Sequence, residues 1–136
     1  MKLKSYCFLI ILIIVALITS SCSNKNKSID DLVVFLNKKD IEAERMPIGT
    51  LYSLIGATSG ATVIVSLKDV NEKYNRLSFE TYKFSSVEQA DSWSKTGKAL
   101  NSIHFGCFVM YPYGGWEKNF ENNDIYQKVK TLVQKF

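Results

Sequence analysis

This chain of 136 residues has little of what most chemistry needs: three cysteines, two prolines, one histidine and, against fifteen lysines, two arginines. A single histidine leaves no His-based zinc set and makes a Ser-His-Asp triad improbable. Few arginines mean few bidentate forks for phosphate or carboxylate. The acidic pairs Asp30/Asp31 and Glu42/Glu44 lack the spacing of a calcium loop and read as solvated surface. GATSG at 56–60 has glycines and hydroxyls but neither the lysine nor the strand-before-helix order of a phosphate-binding loop. No Gly-x-Ser-x-Gly elbow occurs. These absences point away from an enzyme, with no cofactor, no metal and no catalytic residue expected.

What is present begins at the amino terminus. Lys2 and Lys4 precede an unbroken apolar run at 8–18 (FLIILIIVALI), and Thr19, Ser20 and Ser21 lead into Cys22. A basic end, an apolar core and small residues make the three parts of a secretory signal. Eleven apolar residues suit such a core and fall short of the ~20 that span a bilayer. The uncharged stretch continues from Ser5 to Asn24, so an uncleaved anchor is the alternative.

A small residue directly before Cys22, just after that core, resembles the lipobox of bacterial lipoproteins, although Thr19 stands where that box carries Leu. The resemblance implies cleavage before Cys22, a diacylglyceryl group on its sulfur and an acylated, typically palmitate-bearing, amino terminus. It places the protein in the cell envelope, on the outer face of the cytoplasmic membrane or on the outer membrane. Two or three chains make release negligible where one holds only marginally.

With 1–21 removed, fifteen Lys and Arg face thirteen Asp and Glu, a bias of about +2 that is too weak for nucleic acid. Cys7 leaves with the signal and Cys22 is committed to lipid, which leaves Cys107 alone. No disulfide framework is then expected, and the core of one small domain must hold itself. The organisation is a signal peptide at 1–21, a lipidated cysteine and polar tether at 22–27 (CSNKNK), and a single domain at 28–136.

The domain reads as α+β. Ser28 and Asp31 form a capping box ahead of Ile29, Leu32, Val33 and Leu36 at helical spacing. Residues 40–46 are a loop or an edge strand. Pro47 to Ile55 suggests a short helix capped by Gly56. ATVIVSL at 61–67 is apolar on both faces and reads as the central strand, and RLSFETYKF at 76–84, with its polar face, as an edge or half-exposed partner. Ser86 and Gln89 open a helix with Val87, Ala90, Trp93, Gly97 and Leu100 near one face. FGCFVMY at 105–111 is a third strand. After the PYGGW turn at 112–116, Asn123 caps a last helix with Ile125, Val129, Leu132, Val133 and Phe136 in one stripe. The order α-(α)-β-β-α-β-α predicts a three-stranded antiparallel or mixed sheet covered by helices, the middle helix crossing over. The segments LYSLIGATSGATVIVSL, LSFETYKFSSVEQA and HFGCFVMY resemble small envelope lipoproteins of uncharacterised function, a resemblance that implies the fold and no activity.

Two constellations merit placement. His104 near Cys107 is a thiol-base pair on paper, but three residues apart on one strand they face opposite sides, and a buried inert thiol is the expectation. The aromatic turn Tyr111, Tyr113 and Trp116 offers flat faces with polar edges, suited to a protein, a sugar ring or lipid headgroups. The alternative is that Tyr111 and Trp116 fold back beside Trp93. The expected function is a lipid-anchored, non-enzymatic binding protein, attached to the membrane through Cys22 and meeting an envelope protein. The second reading is a small-ligand module using the Tyr113/Trp116 loop.

Overall fold

The computed structural model describes residues 24–67, 76–96, 101–114 and 119–136. Cys22, Trp116 and the leader lie outside the described residues. Among those described, five strands form one antiparallel sheet: β1 (Ile41–Pro47), β2 (Ser59–Leu67), β3 (Arg76–Lys83), β4 (Ile103–Phe105) and β5 (Phe108–Pro112), in the order β1-β2-β3-β5-β4. Three helices accompany it: α1 (Ile29–Asn37), α2 (Val87–Ser94) and α3 (Asp124–Val133). A 3₁₀ turn at Leu51–Ile55 stands where the short helix is expected, and Gly56 closes it at φ 79°.

The helix starts are those the sequence spells out. Ser28 accepts from the Asp31 N–H, and the Asp31 carboxylate accepts in return from the Ser28 N–H at 2.7 Å. Ser86 accepts from the Gln89 N–H and Asn123 from the Tyr126 N–H. Ile29, Leu32 and Leu36 of α1, with Ile125, Val129 and Val133 of α3, are buried on one sheet face. There they meet Ala61, Val63 and Val65 of β2, Phe79 of β3 and Phe108 and Met110 of β5. On the other face a smaller cluster of Tyr82, Phe84, Ala90 and Val109 gathers Trp93, Tyr52 and Ile55 under α2 and the 3₁₀ turn.

Three expectations need correction. The sheet has five strands rather than three. The first extra one is β1, where the sequence leaves a loop or an edge strand open. The second arises because the run expected as one strand at 105–111 folds into the β4–β5 hairpin, turned at Gly106 and Cys107. The centre of the sheet is β3, between β2 and β5, and not β2. Ser78 and Glu80 give β3 its polar side because they sit on a stretch of sheet that no described helix covers, not because the strand lies at an edge. The helix expected to reach Leu100 ends at Ser94, and residues 97–100 lie outside the described set.

The polar stretch before α1 is not a free tether over its described part. Asn24 is buried, donating to the Phe105 carbonyl and accepting from the Cys107 N–H at 3.0 Å. The Lys27 ammonium donates to the Phe136 carbonyl and stands over that ring, 4.4 Å from its centroid.

Candidate functional site

Alternation along β1, β2 and β3 sends Ile41, Val63 and Phe79 to the main core and Met46, Ile64 and Ser78 to the opposite side. On that side α2 lies over β4 and β5, and the 3₁₀ turn lies over the start of β2, where Tyr52 stands against Gly60. Among the described residues nothing covers the remainder, which forms a shallow groove of about 350 Å³, lined by Met46, Pro47, Thr62, Ile64, Ser78, Glu80 and Tyr113. A second hollow of about 160 Å³, lined by Glu42, Glu44, Ser66 and Arg76, continues it past Ile64.

Tyr113 follows β5 directly. Its N–H donates to the Ser78 carbonyl at 2.8 Å, which fixes the backbone beside β3. Its side chain is 68% exposed and Met46 is 47% exposed, so the apolar floor of the groove faces solvent. Three carboxylates, Glu42, Glu44 and Glu80, rim the surface against the guanidinium of Arg76. This gives an acidic face on a chain of positive net charge. Glu80 is held in place by the Tyr82 hydroxyl, which donates to it at 2.8 Å. Burial first, and then that carboxylate, push the Tyr82 phenol well above its usual range. Tyr82 is therefore a neutral donor at any physiological pH.

Of the candidate binding residues singled out in the sequence that are described, Tyr113 lines this groove and Tyr111 does not. Tyr111 is 5% exposed, on the face beneath α2 with its ring edge-on to Trp93, as the alternative reading of the aromatic turn expects for it. Trp116 and Cys22 lie outside the described residues. Met46, Ile64 and Glu80 escape sequence reasoning. The available signal was the polar alternation of β3, which marks an uncovered face.

The His104–Cys107 pair does not form a site. His104 faces α2, with Nδ1 3.6 Å from the Asp91 carboxylate and Nε2 at 2.9 Å from the Gly106 carbonyl, to which it donates. Cys107 is fully buried with the main core and is disulfide-bonded. That corrects the expectation of a solitary thiol. Among the described residues no group of three His, Cys, Asp or Glu converges to hold a metal ion. No described helix is long and apolar enough to cross a membrane. A third hollow, of about 420 Å³, lies between Ile55 and Trp93 and is lined by Glu88 and Gln89. No protein-family model, curated protein or solved structure matches the chain.

Proposed function

We propose that this is an exported, non-enzymatic binding protein of the bacterial envelope whose contact surface is the open half-face of β1–β3 around Tyr113. The observation that carries the reading is the solvent-facing combination of Met46, Pro47, Ile64 and Tyr113 within a carboxylate rim. A contact centre of aromatic and apolar side chains ringed by charge is the composition of protein interfaces. The sign of the rim selects a partner segment that is basic and apolar. The small-ligand reading, which uses the Tyr113/Trp116 loop, is the second choice, because the groove beside Tyr113 is broad and shallow where small-molecule sites enclose most of their ligand. Export rests on the leader, and retention at the membrane depends on the fate of the Cys22 sulfur.

A photo-crosslinking residue placed at position 113 and activated in intact cells tests the surface. One dominant adduct is expected, weakened by Met46→Asp and absent when the crosslinker stands at Ser92, exposed on α2. Equal adducts from both positions, or none from position 113, would remove the proposal.

A further inference from the structure

We infer that the open sheet face takes an amphipathic helix of the partner, laid along β2 with two basic side chains one helical turn apart on its β1 flank. The inference rests on the proposed Tyr113 surface and names the form and charge pattern of what binds there. The register sets out the face row by row. Glu42, Ser66 and Arg76 stand abreast on β1, β2 and β3, then Glu44, Ile64 and Ser78, then Met46, Thr62 and Glu80. The floor along β2 is therefore Thr62, Ile64 and Ser66, low hydroxyl side chains on either side of one apolar midpoint. Glu42, Glu44 and Met46, all exposed, flank it on β1, and Arg76, Glu80 and Tyr113 flank it on the side of β3.

The dimensions suit one helix. Strands about 4.8 Å apart set the two flanks roughly 10 Å from each other, the diameter of a helix with its side chains. From Glu42 to Met46 the trough runs about 14 Å, the length of roughly nine helical residues. The Cα atoms of Glu42 and Glu44 are about 6.8 Å apart along the strand, and helical residues four apart differ in rise by about 6 Å. Lys or Arg at i and i+4 therefore reaches both carboxylates while the neighbouring apolar stripe lies on Ile64, Met46 and Tyr113. At the Met46 end the 3₁₀ turn bounds the trough, with Ile48 and Tyr52 against Gly60, where a Cβ would stand 2.7 Å from Tyr52 Cβ. The same turn shows Leu51 and Leu54 to solvent. With Met46 and Tyr113 they make four of the five large apolar side chains exposed among the described residues, and apolar exposure gathered in this way marks a contact surface.

Other occupants fit this face less well. A second copy paired through the same face, or an anionic lipid surface, would set like charge against Glu42, Glu44 and Glu80. An added strand needs a free sheet edge. Among the described residues Asn37 already bonds the Ala43 N–H and carbonyl on β1, and the His104 and Phe105 carbonyls of β4 accept from Gln134 and Asn24. The opposite face of the sheet carries two helices, α1 and α3, and a helix here gives β1–β3 the same cover on this side.

The crosslinker at position 113 supplies the test. Digestion of the adduct and mass spectrometry identify the partner peptide, which is then synthesised and mixed with the purified protein. A segment of net positive charge is expected, with apolar residues at i, i+3 or i+4 and i+7, Lys or Arg four residues apart, and helical circular dichroism gained on mixing. Glu42→Lys combined with Glu44→Lys should raise its Kd about tenfold or more by turning attraction into repulsion. Replacing the peptide's two basic residues with glutamate should restore binding to that double variant, a rescue that a misfolded variant would not show. A segment that is acidic, or that binds as an extended chain, or a Kd that the double variant leaves unchanged, would overturn the inference and leave the surface standing. An adduct with a second copy of this chain would do the same. No adduct from position 113 would remove the surface itself, and the inference with it.

Discussion

Asn24 shows how much one side chain can organise. It joins segments eighty-one residues apart through the Phe105 carbonyl and supplies the acceptor for the Cys107 N–H, both out of contact with water. Asn24→Ala leaves that donor and acceptor buried without this partner, a loss of about 1–3 kcal/mol by the usual penalty for such groups. Chemical denaturation should register it, and a change below about 0.5 kcal/mol, the range of an ordinary surface substitution, would show that Asn24 is not holding the turn. Asp31 gives a second residue-scale expectation. The Ser28 N–H and hydroxyl stabilise its carboxylate and hold its pKa below 3.8. The folded value being the lower one, the unfolded chain binds more protons as the carboxyl titrates. The contribution is therefore complete above the unfolded value and is lost as pH falls through the folded one. Wild type and Asp31→Asn should differ in Tm at neutral pH and converge near about pH 2, below the carboxylate range. A gap that persists in acid would assign the difference to something other than this charge.

At the scale of elements, β1 is an edge that protects itself. The Ala43 N–H donates to Asn37 Oδ1 at 3.0 Å and the Ala43 carbonyl accepts from Asn37 Nδ2 at 2.9 Å, so the side-chain amide occupies the place of a neighbouring strand. An open edge invites pairing with another chain. Asn37→Ala should therefore increase self-association with concentration in sedimentation velocity, while the wild type stays unchanged over the same range. No difference between the two would mean that the edge is guarded by something else. This edge was legible only as one of two options at 40–46, because Glu42 and Glu44 alternate with Ala43 and Arg45 as they would in a loop. The helices were legible through their caps, which are local chemistry. The β4–β5 hairpin was not, since FGCF is apolar throughout and its turn is secured by Asn24, far away in sequence. The same non-locality hid the candidate groove. Tyr113 could be picked out as an aromatic after a proline, whereas Met46, Ile64 and Glu80 become neighbours only through the order β1-β2-β3.

The whole molecule is asymmetric about its sheet. One face carries α1, α3 and the main core, and the other carries α2 and the 3₁₀ turn over part of its area, with no described element over the rest. Mutations should divide along that line. Phe79 is fully buried in the main core, and Phe79→Ala is expected to cost about 3–5 kcal/mol from lost transfer and an unfilled cavity. That is a large part of the roughly 5–15 kcal/mol that holds a domain together. Ile64, one residue along β2 from Val63 and partly buried on the opposite side, has less to lose than a core residue. Ile64→Ser should shift unfolding by about 1–2 kcal/mol, well below Phe79→Ala, because it removes only partly buried packing. It should nevertheless reduce the adduct formed from position 113. Denaturant titration and the crosslink together separate the two roles. If Ile64→Ser proved as damaging to stability as Phe79→Ala, the face would be part of the folded core and not a surface kept open for a partner. If it changed neither stability nor adduct yield, the partner would make its contact at Tyr113 without using the groove floor.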